Sequence, residues 1–194
     1  MAEYFILTAE PLRDGCVIDR FPEGTDDIWQ ATEGVLLGSS LTREPLRLSM
    51  SKRIGGKAIS DAIENTLGYL IISERVRNIL ESYANAAIEF VPVRLINHKG
   101  REEPHKLFIA NILRTTDCVD REASLYEESA LAPGQFTRIT KLVLDPTRID
   151  LSDDIFRIAS RPRIIIVTTR LAADLRASGA VGLDLLPSTA MVNL

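Results

Sequence analysis

The chain has 194 residues, 45% of them hydrophobic and 26% charged, with a formal net charge of −4. This is the balance of a globular protein with one substantial core or two small ones, which excludes wholesale disorder. The mild acidity argues against a general nucleic-acid binder, which carries a basic surface, and no apolar run approaches the roughly 20 residues that span a bilayer.

Residues 1–57 read as β-rich and turn-rich. Residues 4–7 and 35–37 are short apolar runs, and Leu46-Arg47-Leu48-Ser49-Met50 alternates with the period of a half-buried strand. Pro11, Gly15, Pro22, Gly34 and Gly38 punctuate them as turns. Within this stretch Asp26-Asp27-Ile28-Trp29 sets the single tryptophan of the chain beside two acids. Core packing is the ordinary role of such a ring, and anchoring an interface is the functional one. A basic, glycine-bearing connector at residues 51–57 divides an N-terminal subdomain, 1–57, from an α+β core, 58–194, on which it packs.

Beyond the connector, Asp61 and Glu64 have the spacing of a capping box and Gly68 that of a helix end, which predicts a short helix. Ser73 opens a clearer one, with Val76, Ile79, Leu80, Tyr83, Ala84 and Ala87 on one face. Residues 88–96 read as a strand, 97–100 as a turn, and 107–113 as a central strand apolar on both faces, the two joined as an antiparallel hairpin. Asn111 in that second strand needs hydrogen-bond partners if it is buried. Strands follow at 139–144, 155–159 and 164–167. A last helix at 169–177 stops at Gly179, and 183–186 closes the chain. Residues 72–92 align without gaps to residues 167–187, with Ser73 opposite Thr168, Arg75 opposite Arg170 and Leu80 opposite Leu175. The pattern predicts an α+β fold of mixed, mainly antiparallel sheet containing two equivalent helix–strand units.

Chemistry is sparse. Cys16 and Cys118 are too few for a disulfide framework and read as buried free thiols, in keeping with a reducing, cytoplasmic location. The first residues lack the pattern of a secretory signal. His98 and His105 flank a turn without a cysteine pair, and Asp117-x-x-Asp120-x-Glu122 lacks the glycine and bidentate acid of a calcium loop, so no metal or cofactor is expected. Cys118 sits between aspartates that oppose thiolate formation. Neither a Gly-x-Ser-x-Gly elbow nor a phosphate loop occurs.

What remains is the charge cluster Asp117-Cys118-Val119-Asp120-Arg121-Glu122, delivered by the apolar run at 107–113. Taken as chemistry, Asp117 and Asp120 would be the acid and base of a hydrolase, although Tyr126 is the one aromatic nearby. Taken as structure, one aspartate caps a turn and the others are solvated. Taken as recognition, Asp117, Asp120, Glu122, Tyr126 and Glu127 form one contact surface, and Asp26, Asp27 and Trp29 a second.

Several local patterns also recur together. They are Ile72-Ser73-Glu74-Arg75, Ile88-Glu89-Phe90-Val91-Pro92-Val93, Leu107-Phe108-Ile109-Ala110-Asn111-Ile112-Leu113, Asp117-Cys118-Val119-Asp120 with Ser124, Ile155-Phe156-Arg157, and Gly182-Leu183-Asp184-Leu185. In order and spacing they resemble a family of bacterial immunity proteins, the eleventh in the usual numbering of polymorphic-toxin immunity proteins. The resemblance spans about residues 60–187, with Asp-Cys-Val-Asp its best single mark. It implies a non-enzymatic protein that binds a cognate toxin and blocks it, with no cofactor, nucleic acid or membrane involved and a homodimer left open. An acidic surface would suit a basic toxin such as a nuclease. The motif residues fall on strands and helix starts, where they define the fold, and toxin contacts are expected in loops.

Overall fold

The computed structural model describes residues 4–22, 25, 27–38, 44–83 and 87–191. In chain order these form β1 (Tyr4–Ala9), β2 (Val17–Ile18), β3 (Leu46–Ser49), β4 (Ala62–Asn65), β5 (Ile71–Ser73), α1 (Glu74–Ser82), β6 (Ile88–Ile96), β7 (Leu107–Ile112), β8 (Thr115–Thr116), β9 (Leu125–Glu128), β10 (Phe136–Lys141), β11 (Ile155–Ile158), β12 (Arg161–Thr168), α2 (Thr169–Ala177) and β13 (Leu183–Pro187). One sheet has the order β2-β4-β5-β7-β6-β3, a second the order β13-β1-β12-β11-β8, and β9 with β10 makes a ribbon. The pairs β2–β4, β3–β6 and β8–β11 are parallel, and the rest antiparallel. The fold is α+β with mixed, mainly antiparallel sheets.

The two sheets share one plan. In the first, β4 pairs with β5, and β5 and β6 flank β7, with α1 crossing between them. In the second, β11 pairs with β12, and β12 and β13 flank β1, with α2 as the crossover. Each helix begins where a strand ends, because the last strand residue is also the cap. Ser73 Oγ accepts from Val76 N (3.4 Å), and Thr168 Oγ1 accepts from Leu171 N (3.5 Å); a cap of this kind contributes about 1 kcal/mol. Each capping hydroxyl in turn donates to the aspartate just before the neighbouring strand, Ser73 to Asp61 (2.6 Å) and Thr168 to Asp154 (2.7 Å). An arginine two residues into each turn, Arg75 or Arg170, pairs with the same carboxylate. The alignment of residues 72–92 with 167–187 therefore reports a shared architecture. The second unit differs in its middle strand, which comes from the opposite end of the chain.

Period-two alternation along the middle strands sorts side chains into three cores. Leu107 and Ile109 of β7 join an outer core with the segments from Cys16 to Met50, while Phe108, Ala110 and Ile112 enter an inner core with α1 and α2. In β1, Phe5 and Leu7 enter that inner core, whereas Tyr4 and Ile6 join a second outer core with Phe136, Ile139 and Leu142. The first 57 residues thus supply β1 to one sheet and β2 and β3 to the other. Tyr83 Oη, just beyond α1, donates to Asp174 Oδ2 of α2 (2.6 Å), tying the two helices together.

Two local expectations fail for the same reason. The capping-box segment at 61–68 is strand β4, because Ala62 and Ile63 are fully buried in ladders with β5, and Asp61 is engaged by Ser73 Oγ and Val181 N (3.0 Å). Tertiary pairing overrides the local helix signal. The run at 35–37 is not a strand but a loop, since Val35 O and Leu37 N bond to side chains, Val35 N bonds back to the preceding turn, and it has no ladder partner among the described residues. Of the later strands, the one expected at 139–144 lies at Phe136–Lys141, in the ribbon. Ala84 of the predicted helix face lies outside the described residues.

Candidate functional site

After β7 the chain crosses the edge of the second sheet as β8 and turns inward at Cys118 and Val119, both buried in the second outer core. The backbone here is pinned on both sides. Cys118 O accepts from Asp145 N (2.7 Å), and Asp120 N donates to Val143 O (2.9 Å). Asp120 Oδ1 accepts from Glu122 N and Ala123 N (both 3.0 Å), and its carbonyl accepts from Ser124 N (3.0 Å), so it caps the turn that follows. Ser124 Oγ closes the corner by accepting from Val143 N (2.9 Å). The Asp-Cys-Val-Asp element is thus a corner that buries Cys118 and Val119 and whose second aspartate holds its own turn.

The neighbouring candidates are engaged with each other. Tyr126 stacks on Phe136 with ring centroids 3.9 Å apart, and the Arg121 guanidinium lies 4.9 Å from the centroid of the same phenylalanine ring. Glu127 pairs with Arg138 (3.6 Å) and Glu128 with Arg121 (3.5 Å). Asp117 and Glu122 are exposed. Neither Asp117 nor Asp120 lines the cavities of about 720, 510 and 280 Å³. Hydrolytic carboxylates must converge on a cleft, and this geometry gives the hydrolase reading no support.

The 720 Å³ cleft lies at the start of α1, where Asp61, Ser73, Arg75, His105 and Lys106 meet. A serine beside a carboxylate invites a nucleophile reading. Its hydroxyl, however, donates to Asp61 while accepting from Val76 N, and the Asp154–Thr168–Arg170 group repeats the arrangement in the other half. A constellation that recurs at both helix starts is a brace for those starts.

The second surface candidate is built differently. Residues Ile28–Thr32 form a 3-10 turn that buries Ile28 and Ala31 and leaves Trp29 48% exposed, with Asp27 exposed beside it. Asp26 lies outside the described residues. Core packing is therefore not the role of this tryptophan. Val35 N donates to Gln30 O (3.2 Å), folding Val35 and Leu36 back over the turn, and both are exposed.

Three side chains from three strands hold this loop from beneath. Arg157 of β11, fully buried, donates from Nη2 to Ala31 O (2.8 Å) and from Nη1 to Thr32 O (3.0 Å) and Pro162 O (2.7 Å), with Nε reaching Ile112 O (2.7 Å). Asn111 Nδ2 donates to Val35 O (2.8 Å) and to Glu89 Oε2 (3.0 Å), which also accepts from Leu37 N (3.0 Å). Asn111 Oδ1 has no hydrogen-bond partner among the described residues. Gly34 completes the fit at φ +73°, since a Cβ there would stand 2.7 Å from Ile112 O. The sequence reading missed this bracket, although a buried asparagine in a continuous apolar strand was its signal.

Among the described residues no three metal-ligating side chains come together, and no helix is long and apolar enough to cross a membrane. Compared with known families, residues 4–189 match the family model described as Immunity protein family (Imm11). The chain belongs to this family. The match begins at residue 4 and so takes in the N-terminal stretch that the resemblance over 60–187 had left out. No curated protein gives a significant match.

For an immunity-family chain the Asp-Cys-Val-Asp mark is now intelligible as a fold determinant. Burial, with Asp117 adding to it, pushes the Cys118 thiol up to about 12, and burial likewise pushes Cys16 up to about 11. Both are free and buried, so neither forms a thiolate at neutral pH. Iodoacetamide at pH 7.5 should leave both unlabelled in the native protein and label both in urea, as read by intact mass. Labelling of Cys118 at the rate of a free peptide thiol would contradict its placement.

Proposed function

We propose that the chain neutralises a cognate bacterial toxin by direct protein–protein binding, with no covalent step and no cofactor. Membership of the immunity family over nearly the whole chain carries this reading. The capping role of Asp120, the absence of Asp117 and Asp120 from the clefts, and the capping role of Ser73 support it, because these are the places where catalysis would otherwise be sought. Two buried free thiols are consistent with action in a reducing cytoplasm.

The test is co-expression with a candidate toxin taken from the genes neighbouring this chain's own. Growth should be restored, and the two proteins should co-elute as a stoichiometric complex from size exclusion. Growth that stays arrested while the chain is soluble and folded would refute the reading. Rescue without any complex, with the toxin covalently altered, would favour an enzyme instead.

A further inference from the structure

The loop over residues 27–38 combines three properties of a docking surface. The first is exposed apolar area, with Trp29 48%, Val35 47% and Leu36 64% accessible. Leaving such a group in water is unfavourable unless a partner covers it.

The second property is rigidity. The loop cannot relieve this exposure by folding inward, because Arg157, Asn111 and Glu89 fix its backbone at Ala31, Thr32, Val35 and Leu37. A surface held this way loses little conformational freedom on binding, which raises affinity for a given contact area.

The third is charge. Between Arg20 and Arg43 the sequence holds four acids, Glu23, Asp26, Asp27 and Glu33, and neither lysine nor arginine. The net charge of the chain is −4, so this stretch accounts for all of it and the remainder is balanced. Within the fold, Glu33 is drawn to Arg163 (3.8 Å), while Asp27 stands exposed beside the tryptophan. The β9–β10 ribbon also exposes Leu125 and Leu131, but its acids Glu127 and Glu128 are matched by Arg138 and Arg121.

We propose that this loop is the toxin-contact surface. Trp29, Val35 and Leu36 fill an apolar pocket on the toxin, and lysines and arginines around that pocket face the acids of the loop. The inference rests on the toxin-binding reading above and deepens it by assigning the surface and the chemistry of its partner.

The experiment measures binding of the full chain to an inactivated form of the toxin whose growth arrest it relieves in that co-expression, by interferometry at two salt concentrations. Trp29→Ala and Leu36→Ser are each expected to weaken binding about 30-fold or more while leaving Tm unchanged, as loss of an interface anchor does. Asp27→Lys should slow association several-fold and flatten its salt dependence. Leu131→Ser, in the ribbon, should bind as wild type. If the three loop variants fold and bind as wild type, the assignment is overturned while toxin binding itself stands. A wild-type chain that does not bind the toxin overturns the underlying reading, and this one with it. A free chain that sediments as a dimer dissolved by Trp29→Ala also overturns it, because the loop would then face a second copy.

Discussion

Replacing Arg157 with methionine should lower folding stability by about 4 kcal/mol or more, since an orphaned buried acceptor costs about 1–3 kcal/mol and this guanidinium serves four. Burial pulls its pKa down to about 10, so the group is still ionised at neutral pH. Carbonyl oxygens compensate that buried charge, and Glu33 acts on it only through the field. Methionine replaces the volume of the stem and none of the donors, so Ala31, Thr32, Ile112 and Pro162 lose their partners together. Arg157→Lys keeps the charge, but three donors on one nitrogen cannot span acceptors on three separate segments, and its stability should fall between the two. Urea denaturation with an unchanged m-value is the measurement. A methionine variant within about 1 kcal/mol of wild type would show that the loop carbonyls find other partners, contrary to the brace described above.

Deleting residues 1–9 should abolish cooperative folding. β1 is an interior strand of the second sheet, paired with β12 on one side and β13 on the other. Its residues Tyr4, Phe5, Ile6 and Leu7 are all buried. At about 1.5–3 kcal/mol for each buried side chain the loss is roughly 6–12 kcal/mol, comparable with the whole stability of a typical domain. The deletion would also leave β12 and β13 with facing unpaired edges. Circular dichroism should show no sigmoidal thermal transition for the shortened chain. The rescue is geometric. Phe5 pairs antiparallel with Pro187, and Ser188 N donates to Tyr4 O (2.9 Å). Residues 4–9 reattached after residue 191 through a flexible linker, in a chain now starting at residue 10, can therefore return to the same slot. That permuted chain should melt cooperatively. A shortened chain that melts at the wild-type midpoint would mean that β1 does not close the second sheet.

The local elements were legible where one signal acted alone. The caps Ser73 and Thr168 mark the starts of both helices to the residue, although the first ends at Ser82 and leaves Ala87 outside it, and the continuous apolar run of β7 reads as a central strand because it is buried on both faces. Long-range partners were less legible. Nothing in Tyr4-Phe5-Ile6-Leu7 names β12 and β13 as its neighbours, because backbone ladders carry no residue identity. The same holds for Arg157, whose acceptors are carbonyls, two of them on the turn at Ile28–Thr32. Asp61 misled for a related reason, since its carboxylate serves a helix beginning twelve residues later. The Asp-Cys-Val-Asp element was conspicuous and structural, whereas Val35 and Leu36 looked like an ordinary strand and form part of an exposed loop.

The placement of β1 also bears on the order in which a nascent chain can fold. The first sheet finds its strand partners between residues 15 and 112, so its ladders can form while synthesis continues. The second cannot close until β13 has left the ribosome. At about 5–20 residues per second, β1 waits roughly 10–40 s for β13, an apolar segment exposed in the meantime. Arg157, which fixes the loop bearing Trp29, belongs to that late unit. A chain not yet extended through β11 and β12 therefore does not hold the loop bearing Trp29 in place.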